Sequence, residues 1–244
     1  MEMTLIYTVI GFGLAGYSVI GNDSIQTLGT FIASKQKWFK WYVLASAASF
    51  VMILALAWGW YSYNGDISYG RLTRIPYQEI QWYHAVAPAI LLVLTRVGIP
   101  VSTTFLVLSA FASTVVLEKM LMKSVVGYGL AAMVAYVCWI VVSKFINEKF
   151  DEVKGDFWIS FWRNSVWVTS GWLWWGWLSH DVANIAVYLP RQLSIELLII
   201  VMAYFTILLF YIFYIHGGPI QKVVLEKTGP RYSRSATIIN GIYA

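Results

Sequence analysis

The stretch VIGNDSIQTLGTFIAS, residues 19 to 34, places Asn22 and Asp23 after Gly21 and behind a long uncharged segment. A carboxylate inside hydrocarbon costs several kcal/mol, so it normally faces a protein interior or a water-filled cavity. Two compatible roles follow for Asp23. It can cap a helix that begins again at Ser24 after a break at Gly21, and it can at the same time bind a cation together with neighbouring amides. The stretch therefore predicts a broken helix and a polar site within a membrane.

The composition of the chain indicates an integral membrane protein. Hydrophobic residues make up 59% of the 244 residues and charged residues only 12%, so there are too few polar side chains to cover a soluble core. The alternation of apolar and polar residues that a membrane barrel needs is absent, and we therefore expect an all-α polytopic helical bundle. Uncharged runs of spanning length, about 20 residues, cover 41 to 61, 124 to 143 and 197 to 215, with weaker candidates at 4 to 20, 85 to 117 and 158 to 178.

The basic residues predict the orientation of this bundle. Two clusters follow the first and the last apolar segments: Lys35, Lys37 and Lys40, and Lys222, Lys227, Arg231 and Arg234. By the positive-inside rule both clusters face the cytoplasm, which predicts an inner or plasma membrane location with a cytoplasmic tail from 217 to 244. These clusters also explain the net charge of +5, so we expect the lipid bilayer as a partner and no nucleic acid.

The apolar region from 85 to 117 is interrupted by Gly98 and Pro100. Three adjacent hydroxyl residues follow this interruption: Ser102, Thr103 and Thr104. We interpret the region as a re-entrant hairpin that enters and leaves on the outer side, with hydroxyls and free backbone amides forming a neutral anion cradle. The alternative is a Pro-kinked helix in which the hydroxyls bond to their own backbone.

A second acid, Asp181, lies in a segment predicted to run opposite to the first. The stretch NDSIQ at 22 to 26 corresponds to HDVAN at 180 to 184, because in each a polar residue precedes the Asp and an amide follows three residues later. Matched motifs in opposite directions indicate inverted repeats, which we place at 1 to 144 and 157 to 244 with a charged cytoplasmic linker, 145 to 156, between them.

Carboxylates and amides offer the hard oxygen ligands that alkali cations accept. In the first motif the candidate cation ligands are therefore Asn22, Asp23, Gln26 and Thr30. His180, beside the second acid, is a candidate proton site. The other two histidines, His84 and His216, are expected at the membrane interface.

These stretches together resemble the inorganic phosphate transporter (PiT) family of cation-coupled phosphate symporters, which repeats a GANDVANAxGT-like motif and carries a PVSTTH-like hairpin. In the first motif Asn22 and Asp23 stand at the family's Asn-Asp, Gln26 at its second Asn, and Gly29 with Thr30 at its Gly-Thr. The hairpin match covers residues 100 to 104, with Phe105 in place of the family's His. The second motif matches at 181 to 184, with His180 in place of Asn.

The resemblance implies a secondary active transporter of inorganic phosphate, coupled to sodium or protons and working by alternating access without a cofactor. It places sodium, where this is the coupling ion, at Asp23 and Asp181 with Asn22 and Asn184. It assigns phosphate binding to three hydroxyl residues: Ser102, Thr103 and Thr104. Three other polar residues support these sites: Gln26, Thr30 and His180.

One departure from the family pattern concerns the second repeat. Asp23 and Ser102 are 79 residues apart, and the same spacing from Asp181 would reach position 260, beyond the 244 residues. We therefore expect a shortened second repeat without its own hairpin. Either a second subunit in a homodimer or other oligomer completes the phosphate site, or one hairpin suffices, or transport has been lost.

Two other functional classes stay open at this point. The chain is a non-transporting membrane interaction protein that keeps the fold, or Asp23 and Asp181 form the carboxylate pair of an intramembrane enzyme. No recognisable catalytic motif accompanies the two acids, so we expect no enzyme.

Overall fold

The structure is a computed structural model that describes residues 2 to 99, 101 to 141, 156 to 222 and 233 to 244. Several residues used in the sequence predictions lie outside the described ones: Pro100, Lys227, Arg231 and the linker up to residue 155. The described residues confirm an all-helical architecture, with these helices: α1 Glu2–Lys35, α2 Trp41–Ser62, α3 Val86–Arg96, α4 Thr103–Leu108, α5 Thr114–Val141, α6 Asp156–Asp181, α7 Ala183–Ala186, α8 Ile195–Tyr214 and α9 Ser233–Tyr243.

Within the described residues, four helices are long and apolar enough to cross a membrane: α1 (from Met3), α2, α5 and α8. The uncharged runs at 41 to 61, 124 to 143 and 197 to 215 overlap the last three of these. Long apolar helices satisfy their own backbone hydrogen bonds, which is the condition for entering hydrocarbon. The chain is thus a polytopic integral membrane protein.

The helix break predicted at Gly21 is wrong, because α1 continues without interruption through Gly21, Asn22 and Asp23. Asp23 does not cap a new helix. Its carboxylate accepts hydrogen bonds from the Asn22 amide and the Thr103 hydroxyl instead. A single glycine costs a helix interior about 1 kcal/mol relative to alanine, which packing of a long apolar helix easily offsets.

The antiparallel pair α1 and α6 forms the centre of the bundle. Phe31 packs edge to face on Trp167, with 4.9 Å between ring centroids, and Lys35 donates to the carbonyl of Arg163. We call the end of the bundle at which Lys35 lies the basic end. At the opposite end, which we call the loop end, the connection from α7 to α8 meets the loop after α2, where Leu193 N–H donates to Gly65 O at 2.9 Å.

Helices α2 and α8 pack against each other and flank the central pair. Trp41 lies 5.4 Å from Tyr214 between ring centroids, and the Trp60 indole donates to Leu193 O at 2.8 Å. Because the start of α2 meets the end of α8, the two helices run antiparallel. The Tyr204 hydroxyl of α8 also donates to Gly13 O of α1 at 2.7 Å, which fixes α8 beside α1.

Helices α3 and α4 form a helical hairpin whose two ends meet at the loop end. His84, just before α3, stacks on Phe111, just after α4, with ring centroids 4.3 Å apart and planes 8° apart. His84 is fully buried within the protein at this end of the hairpin. The turn of the hairpin between α3 and α4 reaches α1 deep in the bundle, where Asn22 donates to Val101 O.

The predicted cytoplasmic tail is also different in the structure, because α9 packs along α6 and touches α1. Asn240 of α9 is buried, donates to the Ser170 hydroxyl at 2.8 Å and accepts from the Thr30 hydroxyl at 3.0 Å. A buried amide with both ends bonded holds a helix in place. The residues after 232 therefore belong to the bundle.

Candidate functional site

Polar side chains from three parts of the chain meet at a cavity of about 770 Å³. The middle of α1 contributes Asp23 and Gln26, the hairpin turn and the start of α4 contribute residues 101 to 104, and the end of α6 contributes His180 and Asp181. The hairpin reaches these positions because its turn is pressed against α1. Two acids that are far apart in sequence thus border one space.

The first acid is held by groups from α1 and the hairpin. Asp23 Oδ1 accepts from Asn22 Nδ2 at 2.7 Å, and Asp23 Oδ2 accepts from the Thr103 hydroxyl at 3.0 Å. Asn22 Nδ2 also donates to Val101 O at 3.2 Å. Asn22 is fully buried and Asp23 is 3% exposed, so the carboxylate is almost entirely surrounded by protein.

The second acid has a corresponding set of neighbours. Asp181 Oδ1 accepts from the Thr104 hydroxyl at 2.9 Å and lies 3.4 Å from Asn184 Nδ2. The same Asn184 Nδ2 lies 3.1 Å from the hydroxyl oxygens of both Thr103 and Thr104. Thr103 therefore links the two acids, because it donates to Asp23 and accepts from the amide beside Asp181. Both acids also border a second void of about 10 Å³.

Two amide oxygens at this site have no hydrogen-bond partner among the described residues. Asn22 Oδ1 and Asn184 Oδ1 are buried and unpaired, although both amide nitrogens are bonded. Buried polar atoms normally have partners, and an unpaired pair of acceptors next to two carboxylates fits a cation. The oxygens available for such a cation are those of Asn22, Asp23, Asp181 and Asn184.

The part of the chain that the structure describes contains no group of three or more His, Cys, Asp or Glu side chains placed to hold a metal ion. A cation at this site would instead be bound by amide oxygens together with the carboxylate of Asp23 or Asp181. Oxygen ligands of this kind suit hard cations. Two further buried hydroxyls on α1, those of Ser24 and Thr27, also lack partners in the described structure and were not singled out from the sequence.

The three predicted phosphate-binding hydroxyls differ in what they bond. Ser102 is exposed to the cavity, and its oxygen accepts from Phe105 N at 3.4 Å as the cap of α4. Thr103 and Thr104 donate to the acids and not to their own backbone. The kinked-helix alternative thus describes Ser102, whereas Thr103 and Thr104 point to the site.

The predicted supporting residues are divided by the structure. Gln26 and His180 line the cavity. Thr30 does not, because its hydroxyl donates to Asn240 and ties α1 to α9. Thr30 is seven positions after Asp23, so it lies nearly two turns further along the helix, at the level of Asn240.

Arg71 is a site residue that the sequence did not reveal. It lies in a short 3₁₀ helix, Arg71–Arg74, in the loop after α2. Its Nε donates to Ser179 O at 3.1 Å, and its guanidinium lies 2.9 Å from His180 Nε2. An arginine always carries its charge. Arg71 therefore places a positive charge against Ser179 and His180, the two residues that precede Asp181. No sequence signal identifies it, since the contact joins residues 109 positions apart.

Comparison with protein-family models, with curated proteins and with solved structures finds no match for this chain. The site itself combines two buried acids, two unpaired amide oxygens, three hydroxyls and one nearby arginine. Such a set can hold a cation and an anion side by side, because the acids attract the first and the hydroxyls with the arginine attract the second.

Proposed function

We propose that the protein is a secondary active transporter of inorganic phosphate, coupled to sodium ions or protons, as its resemblance to the PiT family suggests. The observation that carries this proposal is the meeting of Asp23 and Asp181 at the hydroxyls of Thr103 and Thr104 beside a cavity. Buried acids inside a membrane protein mark ion pathways more often than they stabilise a fold.

The hydroxyl bonds supply a way to couple the two ligands. Thr103 donates its single hydrogen to Asp23, and Thr104 donates to Asp181. A cation on a carboxylate satisfies its charge and competes for its lone pairs, so the hydroxyl hydrogen becomes free to turn towards a phosphate oxygen. Each ligand then raises the affinity for the other by the same factor.

Arg71 supplies the charge that draws the anion in. Phosphate approaching two carboxylates is repelled unless positive charge is near, and Arg71 supplies such a charge beside His180, a residue that lines the cavity. A fixed cation near a binding site raises the local concentration of anions and their rate of association.

The packing of the helices supports alternating access. Helix α1 packs against α3, α6 and α8, while α6 packs against α9, α1 and α2. Exchanging α1 with α6, α2 with α8 and α3 with α9 leaves these closely packed pairs unchanged, although the smaller contact of α9 with α1 has no counterpart between α3 and α6. Inverted repeats produce such an arrangement, and one repeat then rocks against the other around a site between them. In this proposal the hairpin is re-entrant and the basic end faces the cytoplasm.

A second copy of the chain is the partner that we propose for α5. This spanning helix has no buried residue, although the structure describes all of it. Gly127, Ala131 and Ala135 lie at four-residue intervals on one face, and helices in membranes associate through small residues in this spacing. The same surface also supports the alternative function, a membrane interaction protein that does not transport.

Binding of radiolabelled phosphate to the purified protein, with and without sodium at fixed pH, tests the proposal. We expect saturable binding that strengthens with sodium or with a change of pH, and that weakens roughly tenfold or more in Thr103→Val, because a hydrogen bond to a charged group contributes about 1.5–3 kcal/mol. Thr95→Val is the matched control, since this buried hydroxyl of the hairpin donates to Leu91 O of its own helix. Absence of saturable binding in the folded wild-type protein would overturn the proposal and leave the interaction protein.

A further inference from the structure

The cavity is much larger than inorganic phosphate, which has five non-hydrogen atoms. Its volume of about 770 Å³ corresponds to roughly 25 water molecules at about 30 Å³ each. Cavities of about 300–1,000 Å³ are those that bind organic molecules of drug size. A phosphate at the hydroxyls of Thr103 and Thr104 would leave most of this space unfilled.

The walls of the cavity differ in chemistry. One wall carries the acids and the hydroxyls described above. Another part of the lining, which we call the apolar wall, carries Leu173 and Trp177, about two turns and one turn before Asp181 on the same face of α6, together with Tyr243 from the end of α9 and Tyr128 of α5. Leu173 is 7% exposed, and the Trp177 ring is partly buried.

Trp177 is the part of the apolar wall that also lies beside the two acids. It borders the main cavity, and it also borders the small void shared by Asp23 and Asp181. Gly176, which precedes it, also lines the cavity and has space around it, since an added Cβ would lie 3.8 Å from the carbonyl oxygen of Ala244. A ligand bound at the hydroxyls therefore has room to extend to Trp177.

We propose that the site accepts phosphate monoesters or phosphonates with an apolar, preferably aromatic, substituent, and that inorganic phosphate is only the smallest member of this class. The phosphoryl group occupies the hydroxyls of Thr103 and Thr104, and the substituent packs against Trp177, Leu173 and Tyr243. This inference rests on the proposed function for the phosphoryl end of the ligand. The rest of it rests on the apolar wall, which bare phosphate does not use.

Displacement of bound radiolabelled phosphate tests the inference, with methyl phosphate, phenyl phosphate and dihexanoyl phosphatidic acid as competitors. We expect phenyl phosphate or the short lipid to displace phosphate at about one tenth of the concentration of methyl phosphate, a difference of about 1.4 kcal/mol. The stronger of the two shows whether a soluble ester or a membrane lipid supplies the ligand. Phenol, which lacks the phosphoryl group, should not displace phosphate.

Variants of the apolar wall locate the effect. Trp177→Ala should abolish the preference for the apolar substituent while phosphate affinity stays within about twofold, about 0.4 kcal/mol. Tyr243→Ala, at an exposed helix end where folding is not at risk, should reduce the preference. Trp172→Ala is the matched control, because Trp172 is 68% exposed on the same helix and does not line the cavity.

The outcomes separate this inference from the proposed function. If no ligand binds to the folded protein, both are overturned. If phosphate binds but neither ligand with an apolar substituent displaces it better than methyl phosphate, this inference alone is overturned. The same conclusion follows if the preference survives in both Trp177→Ala and Tyr243→Ala.

Discussion

At the scale of single residues, the two acids determine what the site can bind. Asp23 and Asp181 are each held by one threonine hydroxyl and one asparagine amide. Neutral donors keep the negative charge in place without cancelling it, which leaves the carboxylates able to bind a cation. An arginine in direct contact would instead have neutralised them.

Asp23→Asn and Asp181→Asn should each weaken cation-dependent phosphate binding by at least about tenfold, or about 1.4 kcal/mol. The amide keeps the shape of the side chain but lacks the charge that attracts the cation. Titration of phosphate at saturating and at zero sodium measures the effect. Wild-type affinity in both variants, in protein that elutes as folded, would contradict the cation role.

Arg71→Gln should slow phosphate association and make it less sensitive to ionic strength, because the attraction of a fixed charge is screened by salt. Arg71→Lys is the matched control and should keep most of the rate, since it retains the charge. Stopped-flow association at low and at physiological salt makes the comparison. Equal rates and equal salt dependence in wild type and Arg71→Gln would show that Arg71 only positions the end of α6.

At the scale of elements, the hairpin depends on a buried histidine at its base. His84 Nδ1 accepts from Gln81 N–H at 2.9 Å, and burial lowers the pKa of the His84 imidazole below its ordinary value. The folded protein therefore holds His84 neutral, whereas the unfolded chain takes up a proton near pH 6.5. Stability from this group is complete above that pH and is lost as the pH falls below it.

Thermal unfolding in detergent between pH 7.5 and pH 5 should show this loss, with His84→Phe losing less stability than wild type over the same range. His216→Asn is the control, because His216 is exposed and asparagine tolerates its positive φ of 52°. It should follow the wild-type slope. A wild-type slope in His84→Phe as well would mean that other groups dominate the acid sensitivity.

The sequence predicted the elements whose signal is local. Length and hydropathy gave α2, α5 and α8, and the Gly and hydroxyl pattern around residue 100 gave the hairpin between α3 and α4. The break in α1 was predicted wrongly, because a motif of Gly, Asn and Asp also fits a continuous helix when tertiary donors satisfy the acid. The packing of α9 on α6 was missed because it depends on Asn240, whose partners Thr30 and Ser170 are 210 and 70 residues away.

In the candidate site, too, the residues with a local sequence signal were predicted and the residue that depends on a long-range contact was missed. Asp23, Asp181, Thr103 and Thr104 were predicted because each lies in a short motif that is visible in the sequence, and the structure brings these separate motifs together at one cavity. Arg71 was not predicted, because a lone arginine in a polar loop carries no motif. Its role depends on where the loop lies in the fold.

At the scale of the whole molecule, the exposed helix α5 predicts association of two copies. We expect native mass spectrometry in mild detergent to show a dimer, and Gly127→Leu to shift it towards monomer because a large side chain separates close-packed helices. Gly129→Leu, on the opposite face of α5, is the matched control and should leave the dimer intact. Neither glycine has a neighbour within 4 Å of an added Cβ, so both variants should fold. A monomer at every lipid content would contradict this expectation.

Uptake of radiolabelled phosphate into proteoliposomes under an imposed sodium or proton gradient is the most direct test of coupled transport. We expect phosphate to accumulate against its own gradient under one of the two ion gradients, and Asp23→Asn to abolish this accumulation. The reason is that the acid links the cation to the hydroxyl that receives phosphate. Uptake no faster than in protein-free liposomes under either gradient, with folded protein present in the membrane, would contradict coupled transport.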